Sequence, residues 1–401
     1  MNSGPRIALL GPFVSRNLGD TATQLEVIRN IRLRRPDVQI VGVCSEPEDT
    51  RRTHGIEAFP FAWERAPDGR EVLARVPWVL RGPLQRLRHF VRVLRFAGRL
   101  DLLVISGGGQ LDELWGGAWR QPYLLWLWTL AARLRGVPVV AFGVGWDHLD
   151  STRGRAFGTA AMRRAARRFV RDQGTFALLR AAGLAEPMIV GPDAAFGLPP
   201  PETADRVPVT SPRRFVVVSP ISLGAVPPKQ RDSHDRFIDE LARACRQWME
   251  AGYDVRFVCS QPAMDGPWVE KITAQLPAAN GEARWTMCRE QGVDAYLRNV
   301  RGATFVLSAR LHGLILAIAA GCPVVGIHYS RKIAQVLDDC GLARYAIEPD
   351  GADAAGLVAV AGELVRNEDA LRRQIAAYCE TARTQLAGEY KALLEYLPAK
   401  A

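Results

Sequence analysis

Arg310 and His312, within the run Ser308-Ala309-Arg310-Leu311-His312-Gly313-Leu314, carry the clearest chemical signal in this 401-residue chain. The apolar run 303–307 ahead of them reads as a buried strand. The stretch 314–320 reads as a helix closed by Gly321, followed by a strand at 324–328. Both residues therefore fall where a strand ends and a helix begins. Unpaired backbone N–H groups and the positive helix end favour an anion there. A fixed guanidinium beside a titratable imidazole suits a small, highly charged substrate. Each residue also has a structural role open to it: Arg310 as the cap of a sheet edge, His312 as a satisfied, half-buried histidine.

In open parallel α/β sheets, ligands bind beyond the carboxyl ends of the strands. Residues that follow each apolar run are therefore the further candidates. Asn17-Leu18-Gly19-Asp20 follows the first run, with Asp20 or Thr21 suited to cap a helix and Asn17 then left to face a ligand. Gly107-Gly108-Gly109-Gln110-Leu111-Asp112 follows another. Its glycines allow close backbone approach and offer amide donors, or simply make a tight turn. Asp112 suits a sugar hydroxyl or a helix cap equally. Gly143-Val144-Gly145-Trp146-Asp147, Arg171-Asp172, Gly191-Pro192-Asp193 and Ser219-Pro220 follow later runs. Arg171 is a candidate anion ligand, with an ion pair to Asp172 as the alternative. Arg331 and Lys332 add positive charge beyond 324–328, whereas His328 reads as packing at a strand end. The glycine run is not G-x-G-x-x-G and no acidic residue ends a strand at the matching spacing, so no dinucleotide site is expected.

The elements that must position these residues alternate throughout. Strands are expected at 7–13, 38–44, 102–106, 137–144, 168–171 and 188–190, and again at 215–220, 255–260, 285–288, 304–308 and 324–328. Helices are expected at 21–33, 122–135, 156–167, 235–251, 311–320 and 368–397. Near-continuous apolar strands alternating with helices imply parallel sheets covered on both faces. A Pro-rich, polar stretch at 199–213 marks a linker between residues 1–198 and 214–375. The expectation is an α/β protein of two doubly wound, Rossmann-like domains facing a cleft. The first domain would serve the acceptor and the second the donor, with a terminal helix at 376–401 returning to the first.

Composition narrows the partners. Length suits two domains of roughly 180 to 200 residues. Apolar content of 48% and charged content of 23% are those of a globular protein with ample core, and the net charge of +10 points to anionic partners. Aromatics are not interleaved with the basic residues in a nucleic-acid-binding pattern, so no nucleic acid is expected. Seven scattered cysteines without a C-x-x-C pair argue against a disulfide framework and a structural zinc site. Neither a secretory h-region nor an apolar stretch of about 18 residues is present, so a cytoplasmic protein is expected. Residues 70–99 hold eight arginines (70, 74, 81, 86, 88, 92, 95, 99) against Glu71, with Val, Leu, Trp78 and Phe90 between them. That pattern suits peripheral contact with the inner face of an anionic membrane, or else a solvated helix with apolar residues on the core.

Taken together, these blocks resemble the polysaccharide pyruvyl transferases across nearly the whole chain. The resemblance rests on Asn17-Leu18-Gly19-Asp20, Gly107-Gly108-Gly109-Gln110-Leu111-Asp112, Val170-Arg171-Asp172 and Gly191-Pro192-Asp193. Most specific is Ser308-Ala309-Arg310-Leu311-His312-Gly313 with Gly321-Cys322-Pro323-Val324 and Tyr329-Ser330-Arg331-Lys332. It implies a GT-B-like fold and transfer of the pyruvyl group of phosphoenolpyruvate onto a sugar of a cell-surface polysaccharide or its lipid-linked precursor, as a cyclic ketal. By the same resemblance, Arg310 and His312 match the family's phosphoenolpyruvate-binding pair, with Leu311 between them, and Arg171 matches a second arginine on the donor. The basic segment 70–99 matches no family motif.

The chemistry agrees. Phosphoenolpyruvate carries a phosphate and a carboxylate on a very small frame, so its site needs several cations, such as Arg310, Arg171 and Lys332, and little apolar area. His312 is the natural acid for C3 of the enol. Asn17, Asp20, Gly108, Gly109 and Asp112 are the candidates for the acceptor side, with Asp20 and Asp112 equally suited to deprotonate a hydroxyl. No cofactor and no metal is expected, since arginines supply the charge stabilisation. One alternative is a GT-B glycosyltransferase using a nucleotide sugar. Retaining members often carry two glutamates eight apart, and the matching positions here are Ser308 and Leu316. A second alternative is a non-catalytic member that binds an anionic glycan.

Overall fold

Strands Leu102–Ser106 and Phe215–Ser219 bury all five of their residues, as the centre of a parallel sheet covered on both faces requires. In the computed structural model the chain divides into two units built around these two strands. Described are residues 4–13, 17–62, 78–113, 116–146, 150–184, 187–199, 214–221, 231–277, 284–329 and 331–399, with side chains from 85 and from 234 in the helices that begin at 78 and 231. Residues 23–194 and the segments 4–13 and 385–399 form the first unit; 17–22 and 195–384 form the second.

The first unit runs β1 (Arg6–Leu10), α1 (Leu18–Arg34, whose residues from Thr23 belong to it), β2 (Gln39–Cys44), α2 (Pro47–His54), β3 (Glu57–Pro60), α3 (Trp78–Ala97), β4 (Leu102–Ser106) and α4 (Gln121–Leu134). It continues with β5 (Val139–Val144), α5 (Thr152–Arg163), β6 (Arg167–Val170), α6 (Gln173–Ala181) and β7 (Met188–Val190). The second runs β8 (Phe215–Ser219), α7 (Arg231–Glu250), β9 (Asp254–Val258), α8 (Pro262–Thr273), β10 (Trp285–Cys288), α9 (Val293–Val300) and β11 (Val306–Ser308). There follow α10 (Leu311–Ala319), β12 (Val324–Ile327), α11 (Arg331–Asp339), β13 (Ala346–Ile347), α12 (Ala354–Arg366) and α13 (Glu368–Leu394). The last turns of α13, from Gln385, belong to the first unit.

Both sheets are wholly parallel, in the orders β3-β2-β1-β4-β5-β6-β7 and β10-β9-β8-β11-β12-β13. Each order reverses beside its first strand, between β1 and β4 and between β8 and β11. Such switch points open a crevice at the carboxyl edge. Two doubly wound α/β units are therefore the architecture that the strand–helix alternation implies. The core of the first unit centres on Trp128, fully buried with its Nε1 donating to the Phe61 carbonyl at 3.1 Å.

Several boundaries differ from the sequence reading for local reasons. Helix α1 starts at Leu18 rather than 21, because Asn17 is its cap: the Gly19 N–H donates to Asn17 Oδ1 at 3.0 Å. Helix α5 starts four residues earlier than expected, because the Ser151 hydroxyl accepts from the Gly154 N–H at 2.9 Å. Strand β1 stops at Leu10, short of Pro12, which has no N–H to continue a ladder. Strands β3 and β13 were not expected; they are edge strands of four and two residues without an apolar run.

Residues 200–213 of the expected linker, and 70–77 of the basic segment, lie outside the described residues. So do Asp147 and Ser330. Among the described residues no helix is long and apolar enough to cross a membrane.

Candidate functional site

The carboxyl edge of the second sheet gathers the residues of the strand–helix junction. Ser308 ends β11, and its Oγ accepts from the Arg310 N–H at 3.2 Å and donates to the Arg310 carbonyl at 2.9 Å. This local turn leaves Arg310 extended as the residue ahead of α10, with Leu311 and His312 opening the helix. Both are half-buried.

Arg310 does not stand as a lone cation, nor does it cap a sheet edge. Asp265, from the first turns of α8, holds its Nη2 at 2.5 Å and its Nε at 3.2 Å. The Asp265 side chain is fully buried and Arg310 only 14% exposed. Asp265 Oδ2 also accepts from the Gln261 N–H at 3.0 Å. The carboxylate is thus fixed by its own helix end before it fixes the guanidinium. Pairing of this kind pre-orients a planar fork along one edge and directs the opposite edge outward.

Beneath the first turn of α10 lies a bed of hydroxyls. The Tyr296 hydroxyl donates to the Gly313 carbonyl at 2.9 Å. A Cβ on Gly313 would stand 2.7 Å from Ser308 Oγ, 3.0 Å from the Tyr296 hydroxyl and 3.2 Å from Ser260 Oγ, so only glycine fits. Burial raises the Tyr296 pKa well beyond its usual value, so this hydroxyl stays neutral. Cys259, nearby, is pushed up to about 12 by burial and then by Asp265, which makes it a thiol rather than a nucleophile at neutral pH.

The segment 17–22 joins this cluster. The Leu18 N–H points to the Ser260 carbonyl at 3.4 Å, and a Cβ on Gly19 would lie 2.0 Å from His312 Nδ1. Gly19 therefore exists as glycine so that the imidazole can pack on its backbone. Asn17, rather than Asp20 or Thr21, caps the helix. Its side-chain oxygen is engaged at the helix end, while Asp20 sits in the first turn of α1 with the favourable sign for a helix N-terminus. Lys332 is the second residue of α11, beyond β12, the strand that pairs with β11. The His328 N–H continues the sheet ladder to Ile347 at 3.0 Å, a packing role.

The first unit gathers a separate set at its own carboxyl edge. Backbone hydrogen bonds stitch the turns after β4 to β7 together: Gly107 to Phe142 at 2.8 Å, Gly145 to Gly108 at 2.9 Å, Arg171 to Val144 at 3.1 Å and Gly191 to Val170 at 2.8 Å. Gly107 and Gly108 have φ of 61° and 67°, so the loop needs glycine at both. Gln24, fully buried, clamps this loop from α1: its Nε2 donates to the Ser106 carbonyl at 3.0 Å, and Ser106 Oγ donates back to its Oε1 at 2.9 Å. The Asp112 carboxylate folds onto Gly109, whose Cβ would be 2.3 Å from Oδ2. It caps no described helix, since α4 begins only at Gln121. Arg171 stands just past β6 with its side chain 7% exposed. Its ion pairs to Asp172 and Asp193 are long, at 3.7 and 3.8 Å, and Asp172 is chiefly the cap of α6. A Cβ on Gly145 would strike the Arg171 guanidinium at 2.6 Å. The blocks 143–146, 171–172 and 191–193 thus converge on one arginine.

Asp265, Ser260, Tyr296 and Gln24 were absent from the sequence candidates. Asp265 had a usable signal, because it follows the strand expected at 255–260 just as the other candidates follow theirs. Among the described residues no group of three His, Cys, Asp or Glu side chains is placed to hold a metal ion.

A family model described as polysaccharide pyruvyl transferase matches residues 17–331. No curated protein matches the sequence. Solved structures match the fold over nearly the whole chain. A putative UDP-N-acetylglucosamine 2-epimerase from Listeria monocytogenes superposes with a TM-score of 0.64 at 10% identity, over 98% of this chain and 96% of that one. A glycosyltransferase from Rickettsia africae gives 0.61 at 10% identity over 98% and 100%. MurG from Acinetobacter baumannii gives 0.55 at 15% over 98% and 99%. At these identities the likeness concerns the fold alone, which is GT-B-like.

Proposed function

The chain belongs to the polysaccharide pyruvyl transferase family, and from that premise we propose that it moves the pyruvyl group of phosphoenolpyruvate onto two hydroxyls of one sugar. The acceptor is a cell-surface polysaccharide or its lipid-linked precursor, and the products are a cyclic ketal and phosphate. The observation that supports this reading is the Arg310–Asp265 pair and His312 at the start of α10. A cation pre-oriented at a helix N-terminus, beside a titratable ring, suits a substrate with two anionic groups on a small frame.

The roles follow from charge and position. Arg310, held by Asp265, meets the phosphate or carboxylate of the donor, and Lys332 beyond the neighbouring strand adds a second charge. Arg171, by family resemblance, is a further donor arginine; it belongs to the first unit. His312 protonates C3 of the enol, which makes C2 electrophilic. One sugar hydroxyl attacks C2 and gives up its proton. A second hydroxyl then displaces phosphate, whose departure balances the charge, and the ring closes. Asp20 and Asp112 remain the two candidates for accepting those protons.

A nucleotide-sugar reaction has less support. Of the two positions where retaining GT-B enzymes often carry glutamates, Ser308 serves the turn at Arg310 and Leu316 is fully buried. A donor screen tests the proposal. Phosphoenolpyruvate at 100 times its dissociation constant should stabilise the protein by about 2.7 kcal/mol, read as a thermal shift. A shift with a UDP- or GDP-sugar and none with phosphoenolpyruvate overturns it.

A further inference from the structure

We propose that the outer face of α3 is a docking surface for an anionic phospholipid bilayer. Over its described side chains, α3 turns His89, Val93, Phe96 and Ala97 inward, as an ordinary amphipathic helix does. Two aliphatic residues face the other way: Leu87 is 56% exposed and Val91 37%. They flank a groove of ≈ 560 Å³ with Phe59 and Phe96 also in its lining and Arg88, Arg95 and Arg99 around it.

Charge along the described side chains of the helix has one sign. Residues 85–99 contain five arginines and no acid. Glu57 of β3 accepts from Arg6 Nη2, and Asp101 beyond the helix accepts from the Arg6 backbone N–H. Two of the arginines lie over rings, Arg92 over Phe59 at 5.1 Å and Arg86 over the half-exposed Trp119 at 4.7 Å. Stacking of this kind spreads guanidinium groups along the surface.

Exposed aliphatic side chains set among arginines match a lipid interface. The guanidinium groups meet headgroup phosphates while Leu87 and Val91 enter the acyl boundary. A soluble phosphate compound would use the arginines and leave the aliphatics without purpose, as would nucleic acid. The inference does not rest on the transfer reaction, and its readout is independent of it.

The test is co-sedimentation of the full chain with phosphatidylcholine vesicles, with and without phosphatidylglycerol. Binding should require phosphatidylglycerol and weaken as salt rises and the Debye length shortens. The triple substitution Arg88→Gln, Arg95→Gln, Arg99→Gln should cost roughly a hundredfold in vesicle affinity. The pair Leu87→Ser, Val91→Ser should cost several-fold while binding to heparin stays unchanged. All five side chains are at the surface, so unchanged thermal midpoints check that the fold persists. Absence of phosphatidylglycerol-dependent binding overturns the proposal, as does full binding by the triple variant. A serine pair that binds vesicles like the parent marks a purely ionic surface and overturns it too. So does sedimentation showing that this face closes a dimer.

Discussion

His312 packs its Nδ1 edge against the backbone of Gly19, so closely that a methyl group on Gly19 would come within 2.0 Å. The two residues are far apart in the sequence, and each belongs to a block singled out for its own chemistry. Their contact gives the first block a purpose that its composition alone does not reveal. It is the wall that fixes the imidazole ring.

Gly19→Ala should therefore disturb the ring more than the fold. Overpacking of this kind costs about 1–3 kcal/mol, part of which α1 relieves by shifting its first turn. The expected outcome is a chain with native circular dichroism, slightly lowered thermal midpoint and turnover down at least tenfold. Turnover equal to the parent would show that the ring's position does not matter to the reaction.

The two junction residues should separate by kinetic signature. His312→Ala is expected to lose about 10²-fold or more in turnover, the contribution of a general acid, while calorimetry still detects phosphoenolpyruvate binding. Arg310→Ala is expected to lose that binding. Near-normal turnover in the first variant, or parent-like affinity in the second, contradicts the assignment.

Asp265→Asn keeps the shape of the side chain and removes its charge. The guanidinium of Arg310 loses a charge-assisted partner worth about 1.5–3 kcal/mol. The Michaelis constant for phosphoenolpyruvate should rise about tenfold or more, with turnover changed much less. A fall in turnover like that of His312→Ala, with the Michaelis constant unchanged, would place Asp265 in the chemistry rather than behind Arg310.

Stability should carry a pH signature from Glu389. Its side chain is buried, with Gln385 Nε2 donating at 3.0 Å, and burial raises its carboxyl to about 7 from the ordinary 4.5. Between those values the unfolded chain releases a proton that the folded chain keeps. This group's contribution therefore falls as pH rises through that window and is flat above it, with a slope of at most about 1.4 kcal/mol per pH unit. His234, lowered by burial to about 4, acts in the opposite sense below 6.5. The difference between parent and Glu389→Gln isolates the first effect. Urea unfolding should find the variant more stable by at least about 1 kcal/mol at pH 8 than at pH 5, relative to the parent; a difference independent of pH refutes it.

The sequence by itself determined the architecture, the family resemblance and the junction that holds Arg310 and His312. Those follow from local pattern: continuous apolar strands alternate with helices, and the residues just after a strand lie at the carboxyl edge of whatever sheet forms. Only the tertiary structure decided which side chains meet. Asp265 lies 45 residues before Arg310, and nothing in the intervening chain announces that the end of β9 stands two strands from the end of β11. The cap of α1 was open in the sequence for a related reason. Asparagine, aspartate and threonine are all good helix caps, and the first turn's own geometry chose among Asn17, Asp20 and Thr21. The same holds for α3, whose arginines are evident in the sequence. That Leu87 and Val91 face outward depends on which stripe of the helix the sheet had already covered. Residue types and spacing set what chemistry is available; packing across distant segments sets which groups are close enough to use it.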